Sequence, residues 1–323
     1  MKAIRVRAFG GPEVLQVTTI PDLTPGPGQV LVRLGAAGVN PVETYIRSGQ
    51  YARLPELPYT PGSDGAGIVF ALGPGTPAGL AVGQRVWVRG SISGTYAEAA
   101  LCEAAQVHAL PERVSLAQGA ALGVPYPTAY RALVQRGGAR PGETVLIHGA
   151  TGGTGLAAVQ IARMLGLRVL ATGGTEAGRQ LLAAQGAEAL DHTSATLVEE
   201  VMKRTGGVQL IVEMLASTNL GRDLTMLARG GRIAAVGSRG PVEINPRDAM
   251  AREAEIRGVM LFNATKEELG EACAAIHAGL ETGALSPVVA QEIPLAEAPR
   301  AHEAVMAGGH TGKIVLNCGG VTV

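Results

Sequence analysis

The 323-residue chain has no net charge, with 27 basic and 27 acidic residues. No global field draws it to a polyanion or an anionic membrane surface, so nucleic acid is not an expected partner. Aromatic residues are scarce, at one Trp, six Tyr and three Phe, and the core must be mostly aliphatic. The only cysteines are Cys102, Cys273 and Cys318. An odd number, widely spaced and without C-x-x-C, argues against a disulfide framework or a structural zinc and fits a reducing cytosol. No apolar run approaches the roughly 18 residues that a membrane span requires. The segment MKAIRVRAFGG carries charges through its short apolar pattern, so the chain reads as soluble, cytoplasmic and untargeted.

Glycine and proline are abundant, at 46 and 19 residues, and their placement divides the chain. Up to about residue 120 they punctuate short strand candidates: KAIRVRAF, EVLQVTTI, QVLVRLGAAGV, GAGIVFAL, RVWVRG and TYAEAALC. This spacing predicts an all-β, barrel-like domain. From residue 143 the rhythm becomes apolar strand, turn, longer helical segment. TVLIHG, RVLATG, EALDH, VQLIVEML, RIAAVGS and EIRGVMLF are six strand candidates in an α/β pattern, which predicts a Rossmann-type doubly wound parallel sheet. The last sixty or so residues do not extend that alternation and are expected to return to the first domain.

The first βα connection, VLIHGATGGTGLAAVQIARMLG, holds Gly149, Gly152, Gly153 and Gly155 between a strand and a helix. Gly152 leaves the backbone open to a pyrophosphate, and Gly155 lets the helix approach the sheet. The helix N-terminus adds free N–H groups and a positive dipole end. Thr151 and Thr154 complete the turn, and Ala150 takes the first position of the usual G-x-G-x-x-G pattern. The second strand ends in Thr172, Gly173, Gly174 and Thr175 rather than in a carboxylate that would accept from a ribose 2′-hydroxyl. This favours NADP(H). Arg179 is either a phosphate counter-charge or a solvated helix residue. His192 either borders the adenosine ribose or is an ordinary polar strand end.

Taken together, FGGPEVL, GVNPVETYIRSGQY, LPYTPGSDGAG, GAALGVPYPTAYRAL, HGATGGTGLAAVQIAR, EMLASTNL and VGSRGPVEINPRD resemble the quinone oxidoreductase branch of the medium-chain dehydrogenase/reductases, and its zeta-crystallin-like members in particular. The resemblance implies a GroES-like catalytic domain over 1–124, an NADP(H)-binding Rossmann domain over 125–264 and a return to the catalytic domain over 265–323, with the active cleft between the two domains. It implies that Asn40, Tyr45 and Tyr51 line the substrate side, with Tyr45 also near the nicotinamide ribose. It further implies cofactor contacts from Asn219, from Val236, Gly237, Ser238 and Arg239, and from Val259, Met260 and Leu261. Asp64 is equally readable as a turn residue or a catalytic one. Lys313 reads as a solvated strand-end lysine or as a further cofactor contact.

Zinc-dependent relatives carry Cys or a His-Glu pair where this chain has Asn40, Ser63-Asp64 and Val124. Asn, Ser and Val are not zinc anchors, so no metal is expected. The implied activity is zinc-independent reduction of a small quinone by NADPH, the cofactor supplying the chemistry and the protein the positioning. Reduction of an enal, enone or enoyl thioester is an alternative, as is a non-enzymatic role as an RNA-binding or crystallin-like structural protein. A homodimer or homotetramer formed through the Rossmann domain is the expected assembly.

Overall fold

The computed structural model describes residues 1–321 and divides into two compact units. One comprises Met1–Val124 together with the segment from Pro287 onward, the other Pro125–Ser286.

The first unit is built on the strand Gln29–Gly38, which pairs antiparallel with Asp64–Leu72, Ala99–Glu103 and Lys313–Asn317. Arg85–Arg89 and Val107–Ala109 extend the sheet on one side, and Val289–Pro294 extends it on the other. A separate hairpin joins Lys2–Arg5 to Gln16–Thr19. Each of the six expected strand segments contains a strand. Val107–Ala109, only three residues long, carries too little alternation to read from sequence. The core is aliphatic as expected, with Val30, Val32, Leu34 and Ile314 against Val86 and Val88. The one tryptophan, Trp87, is fully buried and stacks on His108 with ring centroids 4.4 Å apart.

The second unit holds six parallel strands. In spatial order these are Glu188–Asp191, Arg168–Gly173, Thr144–Ile147, Val208–Glu213, Leu227–Ala235 and Glu255–Gly258. Numbered within the unit, that order is 3-2-1-4-5-6. Its reversal lies between Thr144–Ile147 and Val208–Glu213, where ligands bind in open α/β sheets. Near-continuous apolar strands reflect burial on both faces: Val145, Leu146 and Ile147 are all fully buried.

The return to the first unit begins at Pro287 rather than at 265, a correction to the expected boundary. The helix Lys266–Thr282 starts on a Thr265–Glu268 capping box and ends at Gly283 in the left-handed region. It stays in the second unit. Ala272, Cys273, Ile276 and Leu280 are buried, and Tyr130 and Gln135 hydrogen-bond to Glu271 and Glu268. Its apolar stripe is equally suited to either unit, so periodicity alone could not assign it.

Candidate functional site

The glycine turn sits at the C-terminal end of Thr144–Ile147. It leads into the helix Gly153–Met164, whose N-cap, Gly152, provides no side-chain hydrogen bond to the first turn. The N–H groups of that turn are therefore free to meet an anion. A Cβ on Gly152 would find nothing nearer than Gly149 O at 3.8 Å, so the backbone there is open. A Cβ on Gly155 would lie 2.3 Å from Gly149 O and 2.5 Å from Ala150 Cα. Gly152 thus leaves room for a ligand, whereas Gly155 is required by the turn itself. This cradle fits a dinucleotide pyrophosphate.

Other expected contacts gather near the same strand ends. The Thr151 methyl lies 3.1 Å from the Cβ position of Gly173, and the His192 ring lies 2.6 Å from that of Gly174, so those residues are neighbours. Gly174, Thr175 and His192 are exposed. The Thr175 hydroxyl accepts from Gly178 N–H as the N-cap of Glu176–Ala184. Arg179 is neither free nor solvated: its guanidinium bonds Asp191 and Glu176, each at 2.9 Å. Val236, Gly237, Ser238, Val259 and Met260 line one cavity of about 550 Å³, with Arg131 and Arg136 also on its wall. The two arginines carry no motif signal in the sequence, because they precede the βαβ series. Leu261 is buried beside that segment and Arg239 is exposed.

Asn219 is buried, and both its amide N–H bonds go to the carboxylate of Glu213 at 3.1 Å, while its Oδ1 accepts from Arg222. The Glu213 carboxylate also accepts from Leu215 N–H. Beside it lie His148 and Asp223, also buried, and the donor atoms of His148, Glu213 and Asp223 lie within 4.8 Å of one another.

In the first unit the sequence-selected residues fall into two groups. Tyr45 and Tyr51 are half-buried. Asn40 is 3 % exposed and belongs to a buried polar chain. It opens the short helix Pro41–Arg47, with Pro41 at the first position and Glu43 accepting from Asn40 N–H at 2.9 Å. Asn40 Nδ2 donates to Asp64 at 2.9 Å and to Glu43 at 3.4 Å, and Asn40 Oδ1 accepts from the Lys313 ammonium. Both amide protons are thus spent inside the protein.

Lys313 also donates to Asp64 at 2.9 Å and is 4 % exposed, so it is a buried ion-pair partner and not a solvated strand end. Gly38 makes this approach possible, because a Cβ there would lie 2.9 Å from Lys313 Cε and 2.2 Å from Ala120 O. The chain continues through Glu43 to the Tyr96 hydroxyl at 2.7 Å, and from there to His302 Nε2 at 3.1 Å. Burial, then repulsion from Asp64, raises the Glu43 pKa. Burial pushes His302 down to about 3. Asp64 and Lys313 are separated by 249 positions in the chain, and no local pattern announces their meeting.

A family model described as an alcohol dehydrogenase GroES-like domain matches residues 26–112, and one described as a zinc-binding dehydrogenase matches 153–278. The human quinone oxidoreductase is 50 % identical over 321 residues, covering 98 % of this chain and 97 % of the relative. A solved NAD-dependent alcohol dehydrogenase aligns with a TM-score of 0.90 at 32 % identity, covering 98 % of this chain and 99 % of its own. The Escherichia coli quinone oxidoreductase, solved in complex with NADPH, aligns at 0.87 and 31 % identity, covering 98 % of this chain and all of its own. No helix among the described residues is long and apolar enough to cross a membrane. With half its residues identical to a quinone oxidoreductase along nearly its whole length, and with the nucleotide-binding turn intact, the chain belongs to the quinone oxidoreductase family of the medium-chain dehydrogenase/reductases.

Proposed function

We propose that the protein is an NADPH-dependent quinone oxidoreductase that passes reducing equivalents to a small quinone. The observation that carries this reading is the 50 % identity to a quinone oxidoreductase over 98 % of the chain. Bound NADPH supplies the hydride, and the protein contributes binding, orientation and charge stabilisation. The open backbone at Gly152, with Gly153, Thr154 and the helix N-terminus, receives the pyrophosphate. Thr151, Gly174, Thr175 and His192 border the adenosine ribose. Arg179 is held by Asp191 and Glu176, so recognition of the 2′-phosphate falls to the exposed Arg239, whose planar fork suits it. Val236, Gly237 and Ser238 flank the cofactor, and Val259, Met260 and Leu261 take the nicotinamide amide. Tyr45 contacts the nicotinamide ribose, and Tyr51 donates to the acceptor oxygen. Asn40 acts as a positioning residue, since its two donors are occupied.

Zinc independence is supported by donor chemistry. At the positions where the resemblance puts zinc ligands, Asn40, Ser63 and Val124 are not zinc anchors, and the one carboxylate there, Asp64, is already paired with the Lys313 ammonium, which also bonds Asn40. Three buried cysteines that form no disulfide favour a reducing, cytoplasmic setting. Self-association through the second unit is supported by Glu255–Gly258 at the sheet edge, near exposed Ile256, Met260 and Phe262. The deciding assay compares kcat/KM for a panel of o- and p-quinones with values for 2-alkenals and enoyl thioesters. Turnover of quinones supports the proposal, and turnover of the alkenals or thioesters alone replaces it with an enoyl-type reduction.

A further inference from the structure

At the reversal point of the parallel sheet, one histidine connects the glycine turn to three other elements. His148 immediately precedes Gly149, and its N–H donates to Val212 O in the strand Val208–Glu213. Its Nδ1 faces the Thr172 hydroxyl at 3.3 Å, at the end of Arg168–Gly173. The backbone repeats this link, since Ala150 N–H donates to Thr172 O. On the other side of the ring, Nε2 lies 3.0 Å from Asp223 Oδ1, on the helix Ala216–Met226, and 3.9 Å from Glu213 Oε2. That approach to Asp223 is off the hydrogen-bond direction, so Nε2 and both Asp223 carboxylate oxygens lack a directed partner, although His148 is 1 % and Asp223 0 % exposed. Buried polar atoms without partners are costly. Their arrangement here calls for one shared hydrogen.

Charge balance favours a proton as the missing partner over a metal ion. The groups bearing on the cluster are the two carboxylates, the imidazole and the Arg222 guanidinium, which lies close enough to act on both His148 and Asp223. One proton neutralises two carboxylates facing one guanidinium. Glu213 Oε1 already accepts from Leu215 N–H and Asn219, and Oε2 accepts from Asn219, so this carboxylate is already engaged by neutral donors. Burial acts in the same direction, pushing Glu213 and Asp223 each up to about 7 and His148 down to about 4. Above neutrality the proton leaves, and two carboxylates then face each other beside a neutral imidazole. For the raised carboxyls, the contribution to stability is present in full below their unfolded values and is lost as pH rises through about 7.

The same cluster reaches the cofactor-facing backbone. Gly149 and Gly237 flank Met214, the residue after Glu213: a Cβ on Gly149 would lie 3.3 Å from Met214 Cβ, and one on Gly237 would lie 2.5 Å from Met214 O. Ala216 N–H donates to Gly237 O, and Asn219 is tied to Glu213. We propose that His148, Asp223 and Glu213 are positioning residues that share one buried proton, bracing the glycine turn and the Val236–Ser238 segment, so that NADPH affinity follows the protonation of this brace. The inference rests on the cofactor reading above and adds to it a residue set and a pH dependence.

The test is direct titration of NADPH into the purified protein by fluorescence between pH 6 and pH 9, for the wild type, Asp223→Asn and His148→Gln. The comparison uses ratios of Kd, which cancel titration of the cofactor's own phosphate. Asp223→Asn removes one of the two carboxylates, so Glu213 and Arg222 balance without the added proton. Its Kd relative to wild type should fall by about two- to thirtyfold from pH 6 to pH 9, the range for coupling through packed networks. His148→Gln should weaken binding at pH 6 while leaving kcat at saturating NADPH near the wild-type value. Urea unfolding of the apoproteins should show wild-type stability declining with pH through neutrality and a flatter profile for Asp223→Asn. If Asp223→Asn does not fold, Glu213→Gln removes the other carboxylate and serves the same purpose. A Kd ratio independent of pH overturns the proposal. So does stoichiometric metal in the isolated wild type that Asp223→Asn lacks. Failure of the folded wild type to bind NADPH at any pH overturns the cofactor reading and the brace's role with it, a result distinct from a flat ratio.

Discussion

Replacing Lys313 with Met tests the buried polar chain on which Asn40 stands. The ammonium is 4 % exposed and the Asp64 carboxylate 0 % exposed, and they meet at 2.9 Å. Asp64 Oδ1 has no hydrogen-bond partner, so Oδ2 alone carries the contacts to Lys313 and Asn40. Removing the lysine leaves that carboxylate buried with a single amide donor. Breaking a buried pair in this way costs about 3–5 kcal/mol, a large share of the roughly 5–15 kcal/mol that holds a domain folded. The loss can be read without interference from the second unit, because the chain's one tryptophan, Trp87, is buried in the first. Urea unfolding followed by Trp fluorescence should show the midpoint of Lys313→Met falling sharply. Lys313→Met combined with Asp64→Asn should recover much of the loss, since neither charge remains. A shift worth less than about 1 kcal/mol, the range of a solvated pair, would refute this account of the network, as would strict additivity of the two substitutions.

The two glycines of the nucleotide turn should behave differently. Gly152→Val should leave the protein folded and abolish NADPH binding, whereas Gly155→Val should destabilise the second unit, because its Cβ would lie 2.3 Å from Gly149 O; thermal melts and cofactor titration separate the two. Arg239→Gln should weaken NADPH by about 1.5–3 kcal/mol, the worth of hydrogen bonds to a charged group, and leave NADH little changed; equal losses for both cofactors would remove Arg239 from the 2′-phosphate. His302 has its folded pKa pushed down to about 3 by burial, so it contributes stability above the ordinary histidine range that is lost as pH falls through about 3. The loss amounts to as much as about 1.4 kcal/mol per pH unit. Urea midpoints at pH 7 and pH 4 should therefore converge in His302→Gln relative to wild type.

The parts of this fold that were legible are those written locally. Apolar strands buried on both faces and the Gly149–Gly155 turn each state their structure within a dozen residues, and both are present. The polar interior was not legible. Lys313 reads as a solvated strand end until the fold sets it against Gly38 and Asp64. Asn219 lies in a family-like segment, yet its amide is committed to Glu213. His148, Glu213 and Asp223 come from a strand end, another strand end and a helix, and only the parallel sheet brings them together. The return point at Pro287 depended on which unit buries Ile276 and Leu280, a matter of tertiary packing that helical periodicity does not encode.

The central claim is that NADPH held at the glycine turn reduces a quinone, and single-turnover mixing tests it most directly. Enzyme premixed with one equivalent of NADPH is mixed with a p-quinone, and the NADPH absorbance is followed in the wild type and in Gly152→Val. The account predicts rapid loss of absorbance that saturates with quinone in the wild type and is absent in the variant. Equal decay in both proteins, or decay only when an enal or enoyl thioester replaces the quinone, would contradict it.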